Sequence, residues 1–134
     1  MSVLVDTNVL LDIALNRTSF VQHSALALAK ARTAGETMLC ATSVTTLHYF
    51  LRKQLGETGA RNFIAHCLQA MTVAPVQRDT VQRALSSTMQ DFEDGIIAQC
   101  AASAGAHTIL TRNTADFDHS PVPALTPTEY LNLP

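Results

Sequence analysis

The chain has 134 residues, 47% hydrophobic and 15% charged, with a formal net charge of -2 at pH 7. That balance is too apolar for a disordered segment and predicts one moderately sized core in a single domain, residues 1–134. It excludes a generally basic surface, so a polyanionic partner needs a local basic patch or a bound cation. No apolar run approaches the ~18 residues of a membrane span. The opening "MSVLVDTN" lacks a basic flank and a cleavable apolar stretch, so a cytoplasmic protein without membrane contact is expected. Cys40, Cys67 and Cys100 are far apart with no CxxC pair, which predicts three reduced core thiols.

"SVLVD" is a short β-rich run ending in an acid, the pattern of a buried parallel strand. "TNVLLDIAL" continues at helical spacing, and from Ser19 a longer helical pattern runs to the stop signal at Gly35. "TMLCATS" predicts a second buried strand, after which Ser43 is expected to cap a helix carrying Val44, Leu47, Tyr49, Phe50 and Leu51. Gly56 should break that helix, and "ETGARNFIAHCLQAM" should form the next, followed by a strand in "TVAPV". "RDTVQRALSSTMQ" and "FEDGIIAQCAASAG" are expected helices, and "HTILT" a strand. "NTADF" is a tight helical turn, "VPAL" a last strand, and "TPTEYLNL" a closing helix with Pro127 in its first turn. Strands alternating with helices predict a three-layer α/β/α sandwich around a mostly parallel sheet.

Five of the eleven acidic residues fall at predicted strand ends or helix starts. Asp6 ends the first strand, Asp91, Glu93 and Asp94 open a helix, and Asp116 follows "TILT". Ligand sites of open parallel sheets collect beyond the carboxyl ends of the strands, so these acids are candidates for one rim. Acids in a first helical turn also complement the helix dipole, worth about 0.3–1 kcal/mol each, and Asp91 can cap. That account leaves the third acid and the coincidence with Asp6 and Asp116 unexplained. Clustered carboxylates are normally neutralised by Mg2+ or Mn2+, hard cations that prefer oxygen, and such sites suit phosphodiester hydrolysis.

In this order and spacing, "VLVDTNVLLD", "DFEDGIIAQCAASAGAHTILTRNTADF" and "SPVPALTPTEYL" strongly resemble the PIN-domain family of metal-dependent ribonucleases, over nearly the whole chain. The resemblance implies Asp6, Asp94 and Asp116 as catalytic acids and metal ligands for Mg2+ or Mn2+. It implies Thr7, Asn8, Thr111 and Asn113 as groups that orient ligands or water. It further implies an RNA substrate and the role of a toxin in a bacterial toxin–antitoxin pair, a homodimer held inactive by a small antitoxin. One departure stands out. Many members carry a Glu early in the helix after the second strand, whereas "SVTTLHYFLRK" has no acid, with His48 near the expected place. Asp91 or Glu93 could compensate. Asp91 is the easier neighbour of Asp94 if it lies within the helix, and Glu93 if the helix begins after it.

Beside the site, Arg112 is a candidate phosphate contact through its two-pronged guanidinium. Asp12 reads as structural or solvated, His48 as a partly buried hydrogen-bonded side chain, and Arg52 and Lys53 as helix-end charges. Tyr49 and Phe50 could stack on bases, but at helical spacing they read as core. A second functional reading is a PIN-like protein- or RNA-binding module that has lost efficient catalysis, favoured by the absent Glu. A nucleotide-binding domain is disfavoured by the lack of a Gly-rich phosphate loop.

Overall fold

The computed structural model describes all residues, 1–134. Five parallel strands form one sheet in the order β3-β2-β1-β4-β5. They are β1 (Val3–Val5), β2 (Thr37–Cys40), β3 (Thr72–Ala74), β4 (Thr108–Leu110) and β5 (Ala124–Leu125). Every pairing is parallel, so the expected mostly parallel sheet is parallel throughout. The central strand β1 aligns Val3 with Thr37 on one side and with Thr108 on the other.

Successive strand residues point to opposite faces, and the apolar runs of these strands supply two cores. Val3, Val5, Leu39 and Leu110 pack with α1 (Thr7–Ala14), α2 (Val21–Ala34), α3 (Ala41–Ala70) and Tyr130 of α6 (Pro127–Leu131). Leu4, Met38, Cys40 and Ile109 pack on the other face, against α4 (Arg78–Ser86) and α5 (Phe92–Ser103). The result is the three-layer α/β/α sandwich expected. Full burial of each large strand side chain, such as Leu4 or Ile109, contributes about 1.5–3 kcal/mol. That covers both sheet faces and leaves the strand ends as the place for chemistry. No helix is long and apolar enough to cross a membrane.

Two glycines are required by the backbone. A Cβ on Gly35 would lie 1.9 Å from the Met1 carbonyl oxygen, so only glycine lets the chain start lie across the end of α2. Gly56 has φ of 76° and kinks α3 where the sequence placed its break.

Four local expectations are corrected. Ser43 is not the cap of α3: β2 runs straight into the helix, Cys40 takes the cap position, and Ser43 lies in the first turn. There it shares the buried face of Leu47 and Leu51, and its hydroxyl makes no hydrogen bond. Tyr49 and Phe50 are exposed rather than core: Tyr49 lies opposite the buried stripe of residues 43, 47 and 51, and Phe50 on its flank. Helix α4 stops at Ser86, since the Ser87 hydroxyl accepts the Met89 N–H and offers the backbone a turn instead. The last strand is reduced to Ala124–Leu125.

Candidate active site

The carboxyl ends of β1 and β4 lie side by side, and Asp6 leaves β1 there with its N–H donated to the Leu110 carbonyl. Asp6 also caps α1. One carboxylate oxygen accepts the Thr7 N–H at 2.8 Å; the other accepts the Thr111 hydroxyl at 2.8 Å and the Asn8 amide at 3.3 Å. Thr111 is the hub of the loop, since its oxygen also accepts from the Asn8 side chain and the Asn113 N–H. The Asn8 amide oxygen in turn accepts the Arg112 N–H. These bonds hold Asp6 in one orientation at 8% exposure. Burial nonetheless raises its carboxyl above the ordinary range, against the opposing hydrogen bonds from Thr111 and Thr7. The negative charges of Glu93 and Asp116 push it further.

The "DFED" cluster resolves into distinct positions. Helix α5 begins at Phe92, with Asp91 as its cap, the Asp91 carboxylate accepting the Asp94 N–H at 2.9 Å. Glu93 reaches across to α3, where the Thr46 hydroxyl donates to its carboxylate at 3.3 Å. Asp94 lies between. Burial, then the charges of Asp91, Asp6, Asp116 and Glu93, push its carboxyl up to about 7. The acids that sequence placed on one rim are therefore close enough to oppose one another's ionisation. Asp116 sits in the 3-10 turn Thr114–Phe117, exposed, and with Asp91, Asp118 and His119 it lines a cavity of about 250 Å3.

Asp6, Asp94, Asp116 and Glu93 thus come together, with Asn8 and Thr111 bonded to Asp6. Thr7 and Asn113 contribute through their backbone N–H groups. Arg112 does not turn toward the acids: its Nε donates to Asp12 at 2.7 Å and its guanidinium lies over the Phe20 ring. Asp12, expected to be structural or solvated, is fully buried and also accepts from Arg17 and Ser24. His48 is partly buried and bonded to Glu57. Thr46 was not foreseen as a member of the rim. No local signal marks it, because its partner lies 47 residues away.

A divalent cation fits this rim in donor type and charge. The side chains are all oxygen donors, and their repulsion is what a cation relieves. As they stand, no three His, Cys, Asp or Glu side chains converge to hold an ion.

A family model described as PIN domain matches residues 2–115. Among solved structures, VapBC2 from Rickettsia felis bound to a promoter DNA fragment is similar at 13% identity and a TM-score of 0.75, over 94% of this chain and 98% of that one. A toxin–antitoxin complex from Klebsiella pneumoniae is similar at 23% identity and a TM-score of 0.69, over 93% and 97%. VapC20 from Mycobacterium tuberculosis, a toxin that cleaves the sarcin-ricin loop, is similar at 14% identity and a TM-score of 0.66, over 80% and 86%. At these identities the likeness establishes the fold. A comparison with curated proteins finds no match.

Proposed function

Because the chain belongs to the PIN-domain family, we propose that residues 1–134 act as one PIN-like unit, a Mg2+- or Mn2+-dependent endoribonuclease. The observation that carries this reading is the gathering of Asp6, Asp94, Asp116 and Glu93, from both halves of the chain, at one rim where burial and like charge raise the Asp94 carboxyl. An arrangement that costly in charge is expected where a cation is to be bound. Asp6, Asp94 and Asp116 would hold it. When bound, such a cation polarises a phosphoryl oxygen and offsets charge building on the leaving oxygen.

The chain's own residues supply the rest. Thr111 and Asn8 fix the Asp6 carboxylate, so it needs no reorganisation when substrate arrives. Asp94 or Asp116 accepts a hydrogen bond from the attacking water and orients it in line with the breaking P–O bond. Glu93 supplies the charge missing from the start of α3. Two observations support that assignment: its bond to Thr46 of α3, and its effect on both Asp6 and Asp94.

The similar structures named above include toxin–antitoxin complexes. They support an antitoxin partner; a cytoplasmic toxin, working as a homodimer and held inactive by a small antitoxin over the acidic pocket, completes the proposal. A second reading, a PIN-like binding module with little catalysis, is favoured by one observation: no three acids converge as they stand.

Cleavage of single-stranded RNA separates the two. The protein with Mn2+ should cut such RNA, chelator should stop it, and Asp94→Asn or Asp116→Asn should slow it by at least about 10²-fold. Equal residual activity in wild type and both variants would assign the cleavage to contamination and leave the binding module.

A further inference from the structure

A second cavity, of about 340 Å3, is lined by Arg112 and has no acid in its lining, whereas Asp116 of the same segment lines the acidic one. Ser19, Phe20, His23, Arg112 and Thr128 are among the residues that form it. Beneath it, the fully buried Asp12 accepts from the Arg112 Nε at 2.7 Å and from Arg17 at 3.3 Å. One carboxylate shared by two guanidinium groups leaves the trio with a surplus positive charge.

Arg112 is held in a state ready to bind. Asp12 pins its Nε, and the Phe20 ring lies 3.9 Å from its central carbon. Its two terminal nitrogens make no hydrogen bond within the protein, so four of its five N–H donors remain free. A guanidinium already fixed in one rotamer loses little entropy on gripping a ligand. The backbone N–H of the same residue is bonded to Asn8, which is bonded to Asp6. Consecutive Cα atoms are about 3.8 Å apart, and Thr111, the residue before Arg112, donates to Asp6. The cationic cavity and the acid rim are thus successive positions along one chain segment.

We infer that this cavity is a phosphate subsite for a nucleotide flanking the scissile bond of single-stranded RNA. Arg112 grips the phosphodiester through its terminal nitrogens, with His23 and the hydroxyls of Ser19 and Thr128 around it. Its volume is at the lower end of ordinary ligand pockets, the scale of one nucleotide rather than a helix or a folded partner. The inference rests on the ribonuclease reading and adds the place where the substrate's neighbouring phosphate is held. It gives Arg112 a phosphate role away from the acids, in the pocket that Asp12 organises.

The test is binding of a fluorescent single-stranded RNA 12-mer, followed by anisotropy at low salt in excess chelator, where the acid rim repels phosphate. Thr128→Asp places a like charge in the cavity at an exposed first-turn position of α6, where an acid suits the helix dipole and should leave folding intact. Thr128→Asp and Arg112→Gln should each weaken binding by at least tenfold. Arg112→Gln should also reduce the slope of log K against log salt by about one. Wild-type binding with no change in Thr128→Asp would overturn the subsite while leaving the ribonuclease reading standing. Failure of wild type to bind or cut RNA with or without Mn2+ would remove both. If millimolar inorganic phosphate raises the melting temperature of wild type but not of Thr128→Asp, while both bind RNA equally, the cavity is a free-anion site and the inference falls. Competition by an acidic peptide and not by RNA would make it a protein-docking site and would likewise overturn the inference.

Discussion

Replacing Asp12 by Asn tests a fully buried acid that accepts three side-chain hydrogen bonds, without changing its size. The side chain is fully buried and accepts from Arg112 at 2.7 Å, Arg17 at 3.3 Å and Ser24 at 3.0 Å. An amide keeps one acceptor oxygen, loses the charge, and turns an N–H2 donor toward a guanidinium, which has no acceptor. Breaking a fully buried pair costs about 3–5 kcal/mol. The two cations here keep 24% and 36% of their side-chain exposure, so water can partly re-solvate them. The expected loss is therefore lower, about 2–3 kcal/mol. For a chain of this size that corresponds to roughly 6–15 °C in melting temperature. Urea and thermal unfolding followed by two probes would measure it, coincident transitions establishing that one free energy is being read. In 1 M salt the loss should persist, since a buried carboxylate is little screened. A loss below about 1 kcal/mol, or one that vanishes in salt, would make Asp12 an ordinary partly solvated acid.

Three further outcomes follow from the acid rim. Burial and like charge oppose ionised Asp6, so Asp6→Asn should melt higher than wild type in chelator and gain less from millimolar Mn2+; no Mn2+ shift in wild type would count against a cation site. Asp94, raised from 3.8 to about 7, contributes stability that is full below pH 3.8 and lost as pH rises through about 7; chemical denaturation of metal-free protein from pH 4 to 8 should show that decline, flattened in Asp94→Asn. Glu93→Gln should weaken the Mn2+ response and slow RNA cleavage. Asp91→Asn should leave both intact and change stability by no more than about 0.5 kcal/mol, because Asn caps as well as Asp. Full metal response and cleavage in the double variant would reduce the cluster to dipole complementation.

The strands and most helices were legible because their signals are local. "VLV" and "TIL" are unbroken β-rich runs that only a sheet covered on both faces can bury. Gly56 marks a break because few other residues adopt its φ. The rim was legible for a related reason: acids written after strand ends and at a helix start collect where parallel strands end together, and the charges of Asp6, Asp94 and Asp116 act on one another there. Sequence could also foresee that the cap position of α5 decides between Asp91 and Glu93, but not which way, since helix starts are set to within a residue or two only by the packed structure.

Tertiary structure decided everything that depends on pairs distant in the chain. Glu93 meets Thr46, Thr111 meets Asp6, and Arg112 turns to Asp12 rather than to the acids. Each is a contact between residues 47 to 105 positions apart, fixed by the order of strands in the sheet and invisible to any local pattern. The same holds for Ser43, whose local preference for a cap gave way because β2 enters α3 without a loop and the helix must turn residues 43, 47 and 51 into the core. Local chemistry chose the elements and placed the acids at their ends. Which charge faces which was left to the packing, because burial and long-range Coulomb interactions exist only once the sheet has brought those ends together.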